Sequence, residues 1–248
     1  MSEEIELRLL REIEELKKKI RHLEKKDKEQ IPTFQYSKIR DADLINLVDI
    51  ENNIKEKDKF DNWFESNIKI DNTIEPFLKK LIEDNESLIE SYSEEDLKIN
   101  FLAPLISRVK FKSYENEFRD FYELPLTYKT DKFILSGTAD FVVSTGLVRS
   151  KKPYFFIQEF KRSEEYGNPK PQLLAELITG VELNEWKLIK GAYVIGGNWH
   201  FVILEKLGQD KYQYFVSKNF DSTKLSDLKK IYKNLLFIKN EIITMVKA

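Results

Sequence analysis

The sequence predicts an α/β protein, a mixed central β-sheet flanked by helices, with an N-terminal helical, coiled-coil-like extension. Three observations predict it. Segments rich in aromatic and β-branched residues follow one another, "YELPLTYKTD", "KFILSGTADFVVS" and "PYFFIQEFKR", and turn residues separate them. Helical spacing precedes them in "SYSEEDLKINFLAPLISRV" and returns after them in "KPQLLAELITGVELNE". Finally, "PYFFIQEF" is apolar on both alternating faces, as a central strand covered on both sides must be.

Residues 1–30 read as one amphipathic helix. Leu9, Ile13, Leu16, Ile20 and Leu23 alternate spacings of four and three, a heptad seam between Glu and Lys flanks. The seam is short for an isolated coiled coil, so it is expected to form a homodimer, dock on a partner protein, or pack on its own domain. "QIPTFQYS" breaks the pattern and reads as a linker. Residues 31–92 read as an acidic helical linker region: positions 41–100 carry 7 Lys+Arg against 17 Asp+Glu.

Residues 93–248 form the expected main domain. Ser93 is a helix N-cap followed by acids in the first turn, with Leu97, Phe101, Leu102 and Leu105 as the apolar face. Pro104 marks a kink or the last turn of that helix. After the three strands and the helix at "KPQLLAEL" comes "IKGAYVIGGNWHFVILEK", a hairpin turning at Gly196-Gly197-Asn198. "KYQYFVSKNF" offers one more strand, and an amphipathic helix near 223–246 ends the chain.

Composition excludes several classes. Of 248 residues, 41% are hydrophobic and 28 are Phe or Tyr, enough for a substantial core. Cysteine is absent, which removes disulfide scaffolds, thiolate zinc sites and cysteine nucleophiles. No apolar run approaches the ~20 residues of a membrane span. The charged start "MSEEIELRLLREIEELKKK" is neither a secretory signal nor a transit peptide. A soluble cytoplasmic protein with no membrane partner is expected. Positions 101–248 carry 23 Lys+Arg against 17 Asp+Glu, so this half permits a polyanionic partner.

Three charges stand in the most hydrophobic stretch, Asp140, Glu159 and Lys161. Strand alternation puts Glu159 and Lys161 on one face. The strand before ends near Asp140, and "STGLVRSKK" can return the chain as a hairpin, so the two carboxylates meet at one end of the sheet. Adjacent carboxylates repel unless a cation sits between them. Oxygen-only ligands suit Mg²⁺ or Mn²⁺, with the backbone carbonyl of Phe160 as a further ligand. Such an ion activates water and neutralises charge on a phosphoryl group, and Lys161 would orient the water or stabilise the transition state.

This arrangement resembles the PD-(D/E)XK nuclease superfamily, whose fold is the restriction-endonuclease-like core. The similarity covers roughly residues 93–200. "GTAD" matches the metal-binding aspartate at Asp140, and "QEFK" matches Glu159 and Lys161. Ala139 stands where the name-giving proline would be. The resemblance implies a first-helix glutamate at the metal site, for which "SEEDLKINFLAPLI" offers Glu94, Glu95 and Asp96, with Glu94 best aligned. It also implies a glutamine from the following helix, Gln172. The activity implied is metal-dependent cleavage of nucleic acid, DNA before RNA. The alternative is a catalytically silent scaffold that binds nucleic acid or a protein partner.

A Glu-x-Lys triplet alone carries no information. Glu15-Leu16-Lys17, Glu24-Lys25-Lys26 and Glu185-Trp186-Lys187 share it on expected helix surfaces or loops. The context of Glu159 is what distinguishes it, since a surface ion pair on an edge strand would not need "YFFI" apolar on both faces. His22 and His200 are far apart and read as surface or packing residues. Neither a Gly-x-Ser-x-Gly elbow nor a P-loop is present. Tyr193, Trp199, Phe201, Tyr212 and Tyr214 read as core pairs rather than base-stacking platforms. Arg149, Lys151 and Lys152, followed by Arg162 and Lys170, form a basic stretch suited to either solvent or phosphate contact.

Overall fold

Among the described residues ten strands join in one mixed sheet, with helices on both faces. The computed structural model describes residues 12–19, 31–56, 58–161 and 168–247. Residues 12–19 are helical (α1), with Ile13 and Leu16 exposed. Leu9, Ile20, Leu23, His22 and the Glu24-Lys25-Lys26 triplet lie outside the described residues, as does Arg162.

The region expected as an acidic helical linker contributes directly to the sheet. It holds β1 (Thr33–Gln35), a 3-10 turn (Tyr36–Lys38), α2 (Asp41–Leu47), β2 (Asp49–Asn52), α3 (Asp61–Phe64) and α4 (Ile74–Glu83). β1 runs parallel to the strand at 134–136, and β2 runs parallel to the strand at 211–214. Both segments are too short and polar to announce themselves, and the sheet around them supplies the pairing that their sequence does not. The boundary at 92/93 is therefore no break in packing.

Ser93 caps the next helix as expected: its hydroxyl accepts the Asp96 N–H at 3.1 Å, and the Asp96 carboxylate accepts the Ser93 N–H in return. This helix is α5 (Glu94–Leu97), a π-helical turn (Lys98–Leu102) and α6 (Ala103–Val109) in continuous succession. Pro104 lies inside it rather than in its last turn. Pro104 has no N–H for the carbonyl of Asn100, and the wider π-turn just before it accommodates the missing bond.

β3 (Lys112–Ser113), β4 (Phe118–Lys129), β5 (Ile134–Thr145) and β6 (Lys151–Lys161) then lead into α7 (Pro169–Asn184). β7 (Leu188–Ile195) and β8 (Asn198–Gly208) form the hairpin read from Gly196-Gly197, followed by β9 (Lys211–Val216), β10 (Phe220–Asp221) and α8 (Leu225–Lys247). The sheet order is β2-β9-β8-β7-β6-β5-β4-β3, with β1 on β5 and β10 on β8. β6 is thus central, and β6-α7-β7 is a parallel crossover.

Strand alternation splits the core in two. Phe156, Phe160 and Phe201 face a cluster with Trp63, Leu78, Phe101, Leu105 and Leu235 from α3, α4, α5–α6 and α8. Ile157, Val202 and Leu204 face the other cluster, with Tyr36, Leu44, Leu173 and Leu177 from the 3-10 turn, α2 and α7. α7 is buried along nearly its whole length because the sheet covers one side and the Tyr36 segment another. It also lies close to the sheet. A Cβ at Gly191 of β7 would stand 2.7 Å from the Ile157 carbonyl oxygen and 2.9 Å from Leu177 Cδ2.

No helix among the described residues is long and apolar enough to cross a membrane.

Candidate active site

The site lies where the sheet parts. β4 occupies one edge of β5 along its whole length, so β1 and β6 must share the other. β6 pairs with β5 only as far as Phe141–Gln158, and β1 takes up the edge at Ile134–Ser136. Between them Gly137–Asp140 face an opening. A cavity of about 470 Å³ occupies it, lined by residues that include Gln35, Gly137, Asp140, Glu159, Lys161 and Gln172. Asp140 is not at a strand end as expected, since β5 continues to Thr145. What ends there is its pairing with β6, because the turn of the β5–β6 hairpin lies at the far end of both strands.

Asp140, Glu159 and Lys161 meet at this opening. Asp140 Oδ2 accepts the Phe160 N–H at 2.8 Å, so a side chain completes the ladder where the strands diverge. Glu159 is fully buried; its Oε1 lies 2.5 Å from Lys161 Nζ, and its Oε2 has no hydrogen-bond partner among the described residues. Lys161 Nζ also donates to the Phe160 carbonyl at 3.0 Å. Glu94 joins them, its Oε1 at 3.8 Å from Lys161 Nζ. Of the other two acids in that turn, Asp96 is engaged with Ser93 and Glu95 is exposed. Gln172 lines the cavity, but its amide donates to Glu176 Oε1 at 3.2 Å rather than to the three charges.

The sequence reasoning missed three charged residues here. Lys98 Nζ sits 2.9 Å from Asp140 Oδ1, 3.1 Å from Glu94 Oε1 and 3.5 Å from Glu123 Oε1. Glu123 lies in β4 between the Tyr122–Phe141 and Leu124–Ala139 pairs, in the left-handed region at φ 49°. Such a conformation in a non-glycine strand residue costs on the order of 1–3 kcal/mol and is concentrated at functional sites. Glu176 of α7 is fully buried, and its Oε2 has no partner. Two of the three left a sequence signal. Lys98 is one helical turn from Glu94, and Glu176 is a charge in the apolar run "LLAELI", one turn from Gln172. Glu123 left none, since only strand register brings it here.

Electrostatics follow from crowding and burial. Glu159 is pushed well above the usual carboxylate range, first by burial and then by the charge of Asp140, with Lys161 opposing. Glu176 is also pushed well up by burial and by the Glu159 charge. Burial raises Glu123, and Asp140 adds to it. Burial disfavours the ammonium of Lys161, but Glu159, Asp140 and Glu94 together move its pKa upward. Lys98 is likewise raised, because Asp140 and Glu94 overcome its burial.

The residues fit a hard divalent cation by donor chemistry. Five carboxylates, Glu94, Glu123, Asp140, Glu159 and Glu176, share this neighbourhood with two ammonium groups. One of their buried oxygens, Glu159 Oε2, is unpartnered and lies beside the cavity. As they stand, however, no group of three or more His, Cys, Asp or Glu side chains among the described residues is arranged to hold a metal ion. Here Lys98 and Lys161 supply the positive charge between the carboxylates.

Of the basic stretch, Lys151 and Lys152 lie away from the site. They begin β6 at the hairpin turn, eight and seven residues before Glu159 and therefore more than about 20 Å away along the strand. Lys170, at the start of α7, pairs with Asp41 at 3.3 Å. His200 stacks on Tyr193 with ring centroids 4.8 Å apart.

No protein-family model matches the chain. No curated protein matches it either.

Proposed function

We propose that this protein is a divalent-metal-dependent nuclease built on a restriction-endonuclease-like core, hydrolysing phosphodiester bonds in DNA, with RNA as the second substrate class. One observation carries the reading. Asp140, Glu159 and Lys161 lie together at the parting of two central strands, with the two carboxylates almost wholly buried. Ionisable groups in such a place are costly to bury, and functional sites are where that cost is retained.

Asp140 and Glu159 would hold Mg²⁺ or Mn²⁺, with Glu94 beside them, while the Phe160 carbonyl, the further ligand suggested by the sequence, accepts the Lys161 ammonium instead. The ion, when bound, lowers the pKa of a water and offsets charge on the phosphoryl group. Lys161 is anchored by Glu159 and the Phe160 carbonyl, which fixes a charged donor beside the carboxylates. From there it orients the attacking water and balances charge that develops on the phosphate oxygens. The N–H of Phe160 holds the Asp140 carboxylate in place, and Gln172 positions Glu176 behind Glu159. α1 serves as a surface for a second copy or a partner protein, with Ile13 and Leu16 exposed on it.

A second reading, a catalytically silent scaffold, draws on the lysines that already balance Asp140 and Glu159. Incubation with double-stranded DNA, single-stranded DNA and RNA in Mg²⁺, Mn²⁺ or EDTA separates the two. Cleavage is expected only with metal, and Asp140→Asn is expected to lower it by about 10²–10³-fold or more. Binding without cleavage in any metal would favour the scaffold.

A further inference from the structure

We propose that Lys98 is a built-in exchangeable cation. It holds Asp140 and Glu94 together in the metal-free protein and withdraws to Glu123 when a divalent ion binds. This inference rests on the metal-dependent reading above.

Three features of the site support it. First, the ammonium of Lys98 contacts Asp140 Oδ1 at 2.9 Å and Glu94 Oε1 at 3.1 Å. Asp140 Oδ2 is already committed to the Phe160 N–H, so Oδ1 is the oxygen that remains for a metal, and Lys98 covers it. An ammonium and a divalent cation cannot share that oxygen at contact distance without strong repulsion. Second, a second position for Lys98 is already in place. Glu123 Oε1 is 3.5 Å away, and its side chain is 64% exposed, so the lysine can move outward while remaining paired. The strained backbone at Glu123 fixes that carboxylate opposite Asp140. Third, Lys98 opens the π-helical turn, and its four-carbon stem gives the ammonium a reach of several ångströms without moving the helix.

Lys161 differs in this respect. Its ammonium is held by Glu159 and by the Phe160 carbonyl on its own strand, and its other carboxylate partner among the described residues, Glu94 at 3.8 Å, is less exposed than Glu123. The two lysines thus divide the work: Lys161 stays, and Lys98 yields.

The test measures Mn²⁺ binding by calorimetry on the purified full chain, wild type against Lys98→Met. Removing the competing ammonium is expected to tighten Mn²⁺ binding about tenfold or more, a change of about 1.4 kcal/mol. In EDTA the variant is expected to melt earlier than wild type, because Asp140 and Glu94 lose their counter-ion. Added Mn²⁺ should then raise its melting temperature by more than it raises that of wild type. A second measurement needs no variant. Amine acylation of the wild-type chain, mapped by peptide mass spectrometry, should be faster at Lys98 with Mn²⁺ than with EDTA, while Lys161 changes little. Unchanged or weaker Mn²⁺ binding by Lys98→Met, or a Lys98 acylation rate indifferent to Mn²⁺, would overturn the proposal. If wild type cleaves with Mn²⁺ and these effects are absent, only the exchange fails. If wild type neither binds Mn²⁺ nor cleaves, the nuclease reading fails with it.

Discussion

Glu176 shows how a single buried side chain shapes the chemistry of its neighbour. Burial raises both carboxyls above the usual range, with the Glu159 charge adding to the shift of Glu176 and the Asp140 charge adding to that of Glu159. The folded chain therefore binds protons that the unfolded chain has released, and stability in EDTA declines as pH rises from about 4.5 toward the elevated folded values. Below that window both states are protonated and the full contribution is present. Glu176→Gln keeps the shape and removes one titration, so its melting temperature should fall less than that of wild type between about pH 5 and about pH 8. Equal slopes would mean that Glu176 is ionised in the fold. Gln158 gives a second prediction at this scale. It is wholly buried, and neither its amide nitrogen nor its oxygen has a partner. Gln158→Met should raise stability by about 1 kcal/mol or more in urea unfolding, since it removes an unpaired amide at nearly constant volume. A loss of stability would show that the amide is satisfied.

The helix from Glu94 to Val109 is the element that delivers both Glu94 and Lys98. Its start was legible in the sequence, because Ser93 and Asp96 carry a capping signature that depends only on local spacing. Its interior was not. Pro104 suggests a break, but the π-turn at Lys98–Leu102 lets the helix continue, and packing of Phe101, Leu102 and Leu105 in the core holds it. Ser93→Ala removes the acceptor for the Asp96 N–H and should cost about 1 kcal/mol in chemical denaturation. On the nuclease reading it should also loosen the first turn and so weaken cleavage through Glu94. A variant as stable and as active as wild type would show that tertiary contacts alone hold that turn. On β6, strand identity, burial on both faces and the shared face of Glu159 and Lys161 were all readable from alternation. The position of Asp140 within β5 was read as a strand end because the turn residues around "GTAD" look like punctuation, whereas the ladder to β4 carries the strand through them.

At the scale of the molecule, the segment at 33–38 ties the N-terminal region to the site. β1 continues the edge of β5 beyond the opening, and the Tyr36 hydroxyl donates to Thr179 Oγ1 on α7 at 2.8 Å. Tyr36 is fully buried and packs on Gly137, where a Cβ would come within 2.7 Å of its ring. Tyr36→Ala should therefore destabilise the chain by about 3–5 kcal/mol, read by thermal or denaturant unfolding. On the nuclease reading cleavage should fall along with stability, because Tyr36 joins α7 to Gly137 in the wall of the cavity. Little loss of stability would mean that the segment closes the site without supporting the core.

The sequence by itself determined the class, the principal strands and their helices, the capped start at Ser93 and the three charges set in apolar surroundings. These features follow from side-chain period and local backbone chemistry, which a single segment carries alone. Only the tertiary structure decided that β1 and β2 belong to the sheet, that the strands part at Asp140, and that Lys98, Glu123 and Glu176 gather there. Those outcomes depend on register and on packing between segments distant in the chain. The free energy that fixes them resides in contacts that no one segment makes.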